Sequence, residues 1–202
     1  MIEMLIALGM SFVVLTAATK FFTYQVQAMR TERVRRGAQM TARTALNFMT
    51  RQIELLGRDP QRVLFASMDT PALPPAIASA GGDSIHYRSN LSEDLDDVDT
   101  LDDWEDVTFE VSEGVVWVTQ GTDDPLALTD GSTVKSSHVP DDGLAFEYFD
   151  GIGDPVVNMT SDASRASVRR IRLSLTVIGG PVGDDSGPSV TLSQDVFLRN
   201  AS

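Results

Sequence analysis

The chain has 202 residues and a mass of 21.9 kDa, room for one ordinary domain or a smaller domain with an appendage. Hydrophobic residues at 42 % and charged residues at 22 % exclude a disordered chain and a multi-span membrane protein. The net charge of −13 argues against nucleic acid as a partner, and the absence of cysteine excludes a disulfide framework, a thiolate zinc site and a cysteine nucleophile.

The charge is unevenly divided. Residues 1–62 carry nine Lys/Arg against four acids, a net of +5, whereas residues 63–202 carry seven against 25, a net of −18. Within the basic part, Met4 to Thr19 is a run of sixteen residues without a charge. Ile2 precedes it, and Phe21 and Phe22 extend it past Lys20. A spanning helix needs about 20 apolar residues, so residues 2–22 are long enough to be membrane-embedded if Lys20 reaches back to the interface.

Polarity then rises but the helical pattern persists. Ala38, Ala42, Ala45, Leu46, Met49, Ile53 and Leu56 follow one another mostly at three- and four-residue steps, and Arg35, Arg36, Arg43, Arg51 and Glu54 fall largely off that stripe. No proline precedes Pro60, and Gly57 with Asp59-Pro60 is a stop signal. The spacing predicts one helix over about 2–56, apolar all round at first and amphipathic over 30–56. The chain divides into a helical stem, 1–58, and an acidic domain, 59–202.

A cleaved secretory signal needs a basic start, and Met1-Ile2-Glu3 supplies an acid. A plain membrane anchor gains nothing from Glu3, whose carboxylate costs about 2–3 kcal/mol in hydrocarbon. A helix that packs beside copies of itself has a use for it, as the partner of a neighbour's cation.

The string IEMLIALGMSFVVLTAATKFF resembles the N-terminus of type IV pilins and type II secretion pseudopilins, whose mature chains begin Phe-Thr-Leu-Ile-Glu before an apolar helix. Ile2-Glu3-Met4-Leu5-Ile6-Ala7 matches that pattern, with Glu3 on the family's glutamate. The resemblance implies that Glu3 meets the methylated N-terminal amine of a neighbouring subunit during assembly. It also implies that Ile2, Met4, Leu5, Ile6, Leu8, Phe12, Val13, Val14 and Leu15 face lipid first and a filament core later. The partners implied are other pilin or pseudopilin subunits, the prepilin peptidase that trims the leader, and the inner membrane. The family's basic leader, cleavage-site glycine and first two mature residues have no counterpart before Ile2, and Met1 stands where leucine is expected. A leucine codon such as TTG, read as an initiator, accounts for this, with the leader encoded upstream. Lys20, Arg30, Arg33, Arg35 and Arg36 would place the C-terminal domain in the cytoplasm by the positive-inside rule. The family places it outside, and basic residues of a leader would compete.

The acidic part reads as strands and turns. Ser84–Arg88 alternates; Val107–Val111 and Val115–Thr119 flank Ser112-Glu113-Gly114 as a hairpin with a three-residue turn. Leu144–Phe149 ends at Asp150-Gly151, Arg170–Ile178 alternates, and a glycine-rich turn over 179–187 leads into Ser189–Leu198. These elements predict an antiparallel sheet with one dry face, for which the Ala38–Leu56 stripe is the natural cover. The fold class is α+β: a long N-terminal helix, the stem of a lollipop, packed on a globular antiparallel β-sheet head.

The order of several short motifs is similar to PilW-type minor pilins: Thr44–Met49 and Arg51–Pro60 at the helix end, then Gly143–Asp150, Arg170–Leu173 and Val196–Asn200. Arg58 stands where that branch usually has an aromatic, and there is no cysteine pair. The resemblance implies a minor pilin that helps initiate a bacterial type IV pilus, at or near the tip and beside a tip adhesin, after storage in the inner membrane with a periplasmic head. The equivalent minor pseudopilin of a type II secretion system is the alternative. A membrane-tethered adhesion or sugar-binding module is a third reading.

Glu93–Asp106 has nine acids in fourteen positions. Asp94, Asp96, Asp97 and Asp99 are candidate calcium ligands, although the run lacks the glycine and terminal glutamate of an EF-hand and also reads as a solvated loop. His86 and His138 read as strand or loop residues and not as metal ligands. Trp117, in an alternating strand, is expected in core or inter-subunit packing. Arg30, Arg33, Arg35 and Arg36 have three readings: pairing with acids of neighbouring subunits, contact with anionic headgroups, or an exposed helix face. No Gly-x-Ser-x-Gly elbow or phosphate-cradling loop is present, so no catalytic residue and no enzyme is expected.

Overall fold

In a computed structural model, residues 2–56, 76–89, 106–129, 137–180 and 185–198 are described. The uninterrupted run of helix-compatible residues forms a single helix, α1 (Ile2–Glu54), of 53 residues and about 80 Å. It closes in a tighter turn, with the N–H of Leu55 and Leu56 donating to the carbonyls of Gln52 and Ile53. The stripe read from the sequence is its buried face: Ala38, Ala42, Ala45, Leu46, Met49 and Ile53, followed by Leu56.

Eight strands and one short helix complete the described fold: β1 (Ile77–Ala80), β2 (Ile85–Arg88), β3 (Asp106–Ser112), β4 (Val115–Gln120), β5 (Leu126–Ala127), β6 (Leu144–Phe149), α2 (Asp162–Ser167), β7 (Arg170–Ile178) and β8 (Ser189–Phe197). All pairings are antiparallel. They make two sheets and not one: β1-β2-β3-β4-β5, and β6-β7-β8. The first ends at β5, a two-residue strand after Pro125 with too few groups to continue the ladder. β6 instead hangs on the β1–β2 turn, where the Phe146 N–H donates to the Gly82 carbonyl at 2.8 Å and the Tyr148 hydroxyl to the Gly81 carbonyl at 3.1 Å.

Period-two alternation puts Ile85, Tyr87, Val107, Phe109, Val116 and Val118 of the larger sheet, and Leu144, Phe146, Tyr148, Ile171, Leu173, Leu175 and Val177 of the smaller, into one core. The end of α1 packs on β7 and β8, while Phe48 meets Phe109 edge-to-face, with ring centroids 6.4 Å apart. The helix therefore lies on the smaller sheet and reaches the larger one through Phe48, all three sharing one core. The hairpin between β3 and β4 is tighter than the spacing suggests. Ser112 pairs with Val115, leaving a two-residue turn in which Glu113 (φ 53°) and Gly114 (φ 78°) are both left-handed, as a type I′ turn requires. Trp117 is not in the core. It lies half-buried on the outer face of β4, its indole N–H donating to the Ser112 carbonyl.

Gly179, just past β7, sets how closely head and stem approach. A Cβ there would sit 2.2 Å from Cγ1 of Val34. Gly179→Ala is expected to lower stability by about 1–3 kcal/mol through overpacking, and Val34→Ala in the same chain to recover part of the loss, both read by thermal unfolding in detergent. Tyr87 is fully buried and its hydroxyl has no hydrogen-bond partner among the described residues; burial pushes its pKa up. Tyr87→Phe is therefore expected to raise stability by about 1 kcal/mol, while Tyr87→Ala costs about 3–5 kcal/mol. A less stable Phe variant would show that the hydroxyl is satisfied.

Candidate functional site

The stem is bare before the head begins. From Ile2 to Arg33 every residue is exposed except Ala18, which is half-buried. Ile2, Met4, Leu5, Ile6, Leu8, Phe12, Val13, Val14 and Leu15 all belong to this segment, with Ile2 at 74 % and Phe12 at 70 % exposure. At about 100° per residue they encircle the axis. An apolar surface this large, open on every side, calls for lipid or other apolar helices around it. By length and composition, α1 can cross a membrane.

The serine and threonine hydroxyls inside this sleeve are already satisfied. The hydroxyls of Ser11, Thr16, Thr19 and Thr23 donate to the carbonyls of Ala7, Phe12, Leu15 and Thr19, four residues back, at 2.8–2.9 Å. They need no water and tolerate an apolar surrounding. Glu3 and Lys20 are the only side chains between Ile2 and Met29 that are charged at neutral pH. Glu3 sits in the first turn, where the free N–H groups and the positive end of the helix dipole favour a carboxylate. It makes no ion pair with any described residue. The arrangement places one carboxylate, without an ion pair among the described residues, at the tip of an apolar rod, where a cation from another chain can reach it.

The other candidates are separate from the stem. Asp94, Asp96, Asp97 and Asp99 lie outside the described residues. Asp106, the last acid of that run, is in β3 and pairs with His86, with the Arg88 Nε 4.0 Å from its second oxygen. His138 is buried in a bridge to Ile178, with Nδ1 3.3 Å from the Gly180 carbonyl and Nε2 3.0 Å from Asp185 Oδ1. It ties down the start and end of the β7–β8 connection. Among the described residues no group of three or more His, Asp or Glu side chains is placed to hold a metal.

Two features were not legible in the sequence. A cleft of about 480 Å³ opens between Gly81-Gly82, strand β6 and residues 155–160. Its walls are largely apolar, and its polar groups are tied: Asn158 Oδ1 accepts from the N–H and hydroxyl of Thr160. Burial, and secondarily the charge of Asp83, raises the pKa of Tyr148. Nothing in it forms a nucleophile–base pair. The second feature is on the outer face of the smaller sheet. Asp195 accepts from Arg172 Nε at 2.8 Å and Arg170 Nη1 at 3.0 Å, and Arg170 stacks 4.0 Å over the Phe149 ring. The cross-strand register assembles this group, and alternation alone does not reveal it.

No protein-family model matches the chain, and no curated protein or solved structure is significantly similar to it.

Hydrogen bonding from Arg172, together with the charges of Arg172 and Arg170, holds the Asp195 carboxyl below the usual carboxylate range. Its folded-state pKa is thus lower than the unfolded value of about 3.9. The stabilisation is present above that value and fades as pH falls through the folded pKa. Asp195→Asn should lower the melting temperature at neutral pH, and the gap between the two proteins should narrow as pH falls below the unfolded value of about 3.9 and close once pH is below the folded pKa. A gap independent of pH would mean that the charge does not matter.

Proposed function

We propose that this protein is a minor pilin, a structural subunit that helps initiate a bacterial type IV pilus at or near its tip. The observation that carries the reading is the division of α1: a bare apolar rod carrying one unpaired carboxylate, continuous with a segment whose other end is the core of the head. The role is mechanical. The rod is stored in the inner membrane with the head in the periplasm; a prepilin peptidase trims the leader; and the rod then moves from lipid into a bundle of like helices. Apolar packing replaces lipid contact at little net cost, since the two surroundings are similarly apolar. Glu3 selects the register, because in hydrocarbon an unpaired carboxylate is expensive and a neighbour's terminal amine relieves that expense.

The test is incorporation after Glu3→Ala, in a chain expressed behind a prepilin leader. The variant is expected to be processed and to remain in the membrane, with its incorporation into sheared filaments reduced at least tenfold. Normal incorporation would remove Glu3 from the mechanism. Intact head function without any filament would favour a tethered binding module.

A further inference from the structure

Between the apolar rod and the head lies a basic collar. Arg30, Arg33, Arg35 and Arg36 are all exposed, and none pairs with an acid among the described residues. At about 100° per residue Arg30, Arg33, Arg35 and Arg36 fall near 0°, 300°, 140° and 240° round the axis, so the charge rings the helix except on the face that Val34 and Ala38 turn to the head. Arg33 and Arg36 flank a shallow groove floored by Ala28 and Met29, with Glu32 at its rim. The head begins at the level of the collar, where Val34 lies against Gly179, and continues at Ala38.

The collar lies at a defined depth. Met4 to Met29 covers about 40 Å of helix, close to the full thickness of a bilayer with its headgroups. With Glu3 at one border of the hydrocarbon, Arg30 stands about 10 Å past the other border, at the outer edge of the headgroups, and Arg33, Arg35 and Arg36 follow about 5–9 Å further out, within about a Debye length of that edge. The rest of the head side, at −18 over residues 63–202, is repelled by an anionic surface. We infer that the collar binds the phosphate-bearing headgroups of anionic phospholipids in the membrane that holds the stem, and thereby keeps the acidic head clear of the surface. A ring suits lipids, which surround a helix, better than the acidic head of a second copy, which would meet it on one side. The inference rests on the reading of the stem as membrane-embedded.

The test uses the full chain reconstituted in phosphatidylcholine vesicles doped with spin-labelled lipid. The motionally restricted fraction is expected to be at least twofold larger for labelled phosphatidylglycerol than for labelled phosphatidylcholine. The preference should vanish at 1 M salt, where the Debye length falls to about 3 Å, and in the R30Q/R33Q/R35Q/R36Q variant, whose substitutions all lie off the buried stripe. Equal fractions with the protein in the vesicles, or a preference that survives in the variant, overturn the inference while leaving the membrane reading intact. Equal fractions with a salt-sensitive self-association that the variant loses would instead assign the collar to a second copy. Failure of the chain to enter vesicles overturns the membrane reading and the collar with it.

Discussion

Everything in this molecule depends on one helix being continuous through two different surroundings. α1 has no proline, and its two glycines, Gly9 and Gly37, sit where a straight helix tolerates them, so the apolar rod and the head core share one backbone. A force or rotation applied to the rod is delivered directly to Ala38, Ala42, Ala45, Met49 and Ile53, which are packed against both sheets. The alanines on that face let the helix lie close to strands β7 and β8, and Gly179 permits the same closeness where the head starts. A jointed connection would lose that coupling.

The head achieves a single core without disulfides by making the helix the common wall of two small sheets. Neither sheet has a second layer of its own among the described residues, so each buries its inner face against α1 and against the other sheet. The outer faces are stabilised by cross-strand polar pairs, such as Ser174 with Ser193, Thr176 with Thr191, and the Arg170–Arg172–Asp195 group. Charge is separated along the molecule, from the apolar rod through the basic collar to the acidic head. That order suits a chain that must sit in a bilayer with its folded part held away from it.

The parts legible in the sequence were those set by local period. The 3.6-residue spacing of Ala38 to Ile53 and the strict alternation of Ile171, Leu173, Leu175 and Val177 each fall on a face that the fold buries. The division into two sheets was not legible, because it depends on where β6 docks, and the Phe146–Gly82 bond is non-local. β1, β5 and α2 are four, two and six residues long, too short for a period to register. The turn at Glu113-Gly114 lacks the Asn-Gly or Asp-Gly signature, so its length was misread. Trp117 followed the alternation of β4 onto the outer face, because alternation alone does not say which of the two faces the core takes. Of the candidate site, the apolar rod was legible, because a helix with no polar face announces its need for an apolar surrounding. The cleft and the collar's ring geometry required the register and the position of the head.

The central claim is that the rod changes surroundings, from lipid to other rods, while the head stays folded on its other end. Because the chain has no cysteine, a single cysteine at Val14 can carry a photoactivatable group on the full-length protein without competing sites. The account predicts crosslinks to acyl chains before assembly and to the apolar helices of other subunits in isolated filaments. Crosslinks to the protein's own head, or quenching by water in both states, would contradict it.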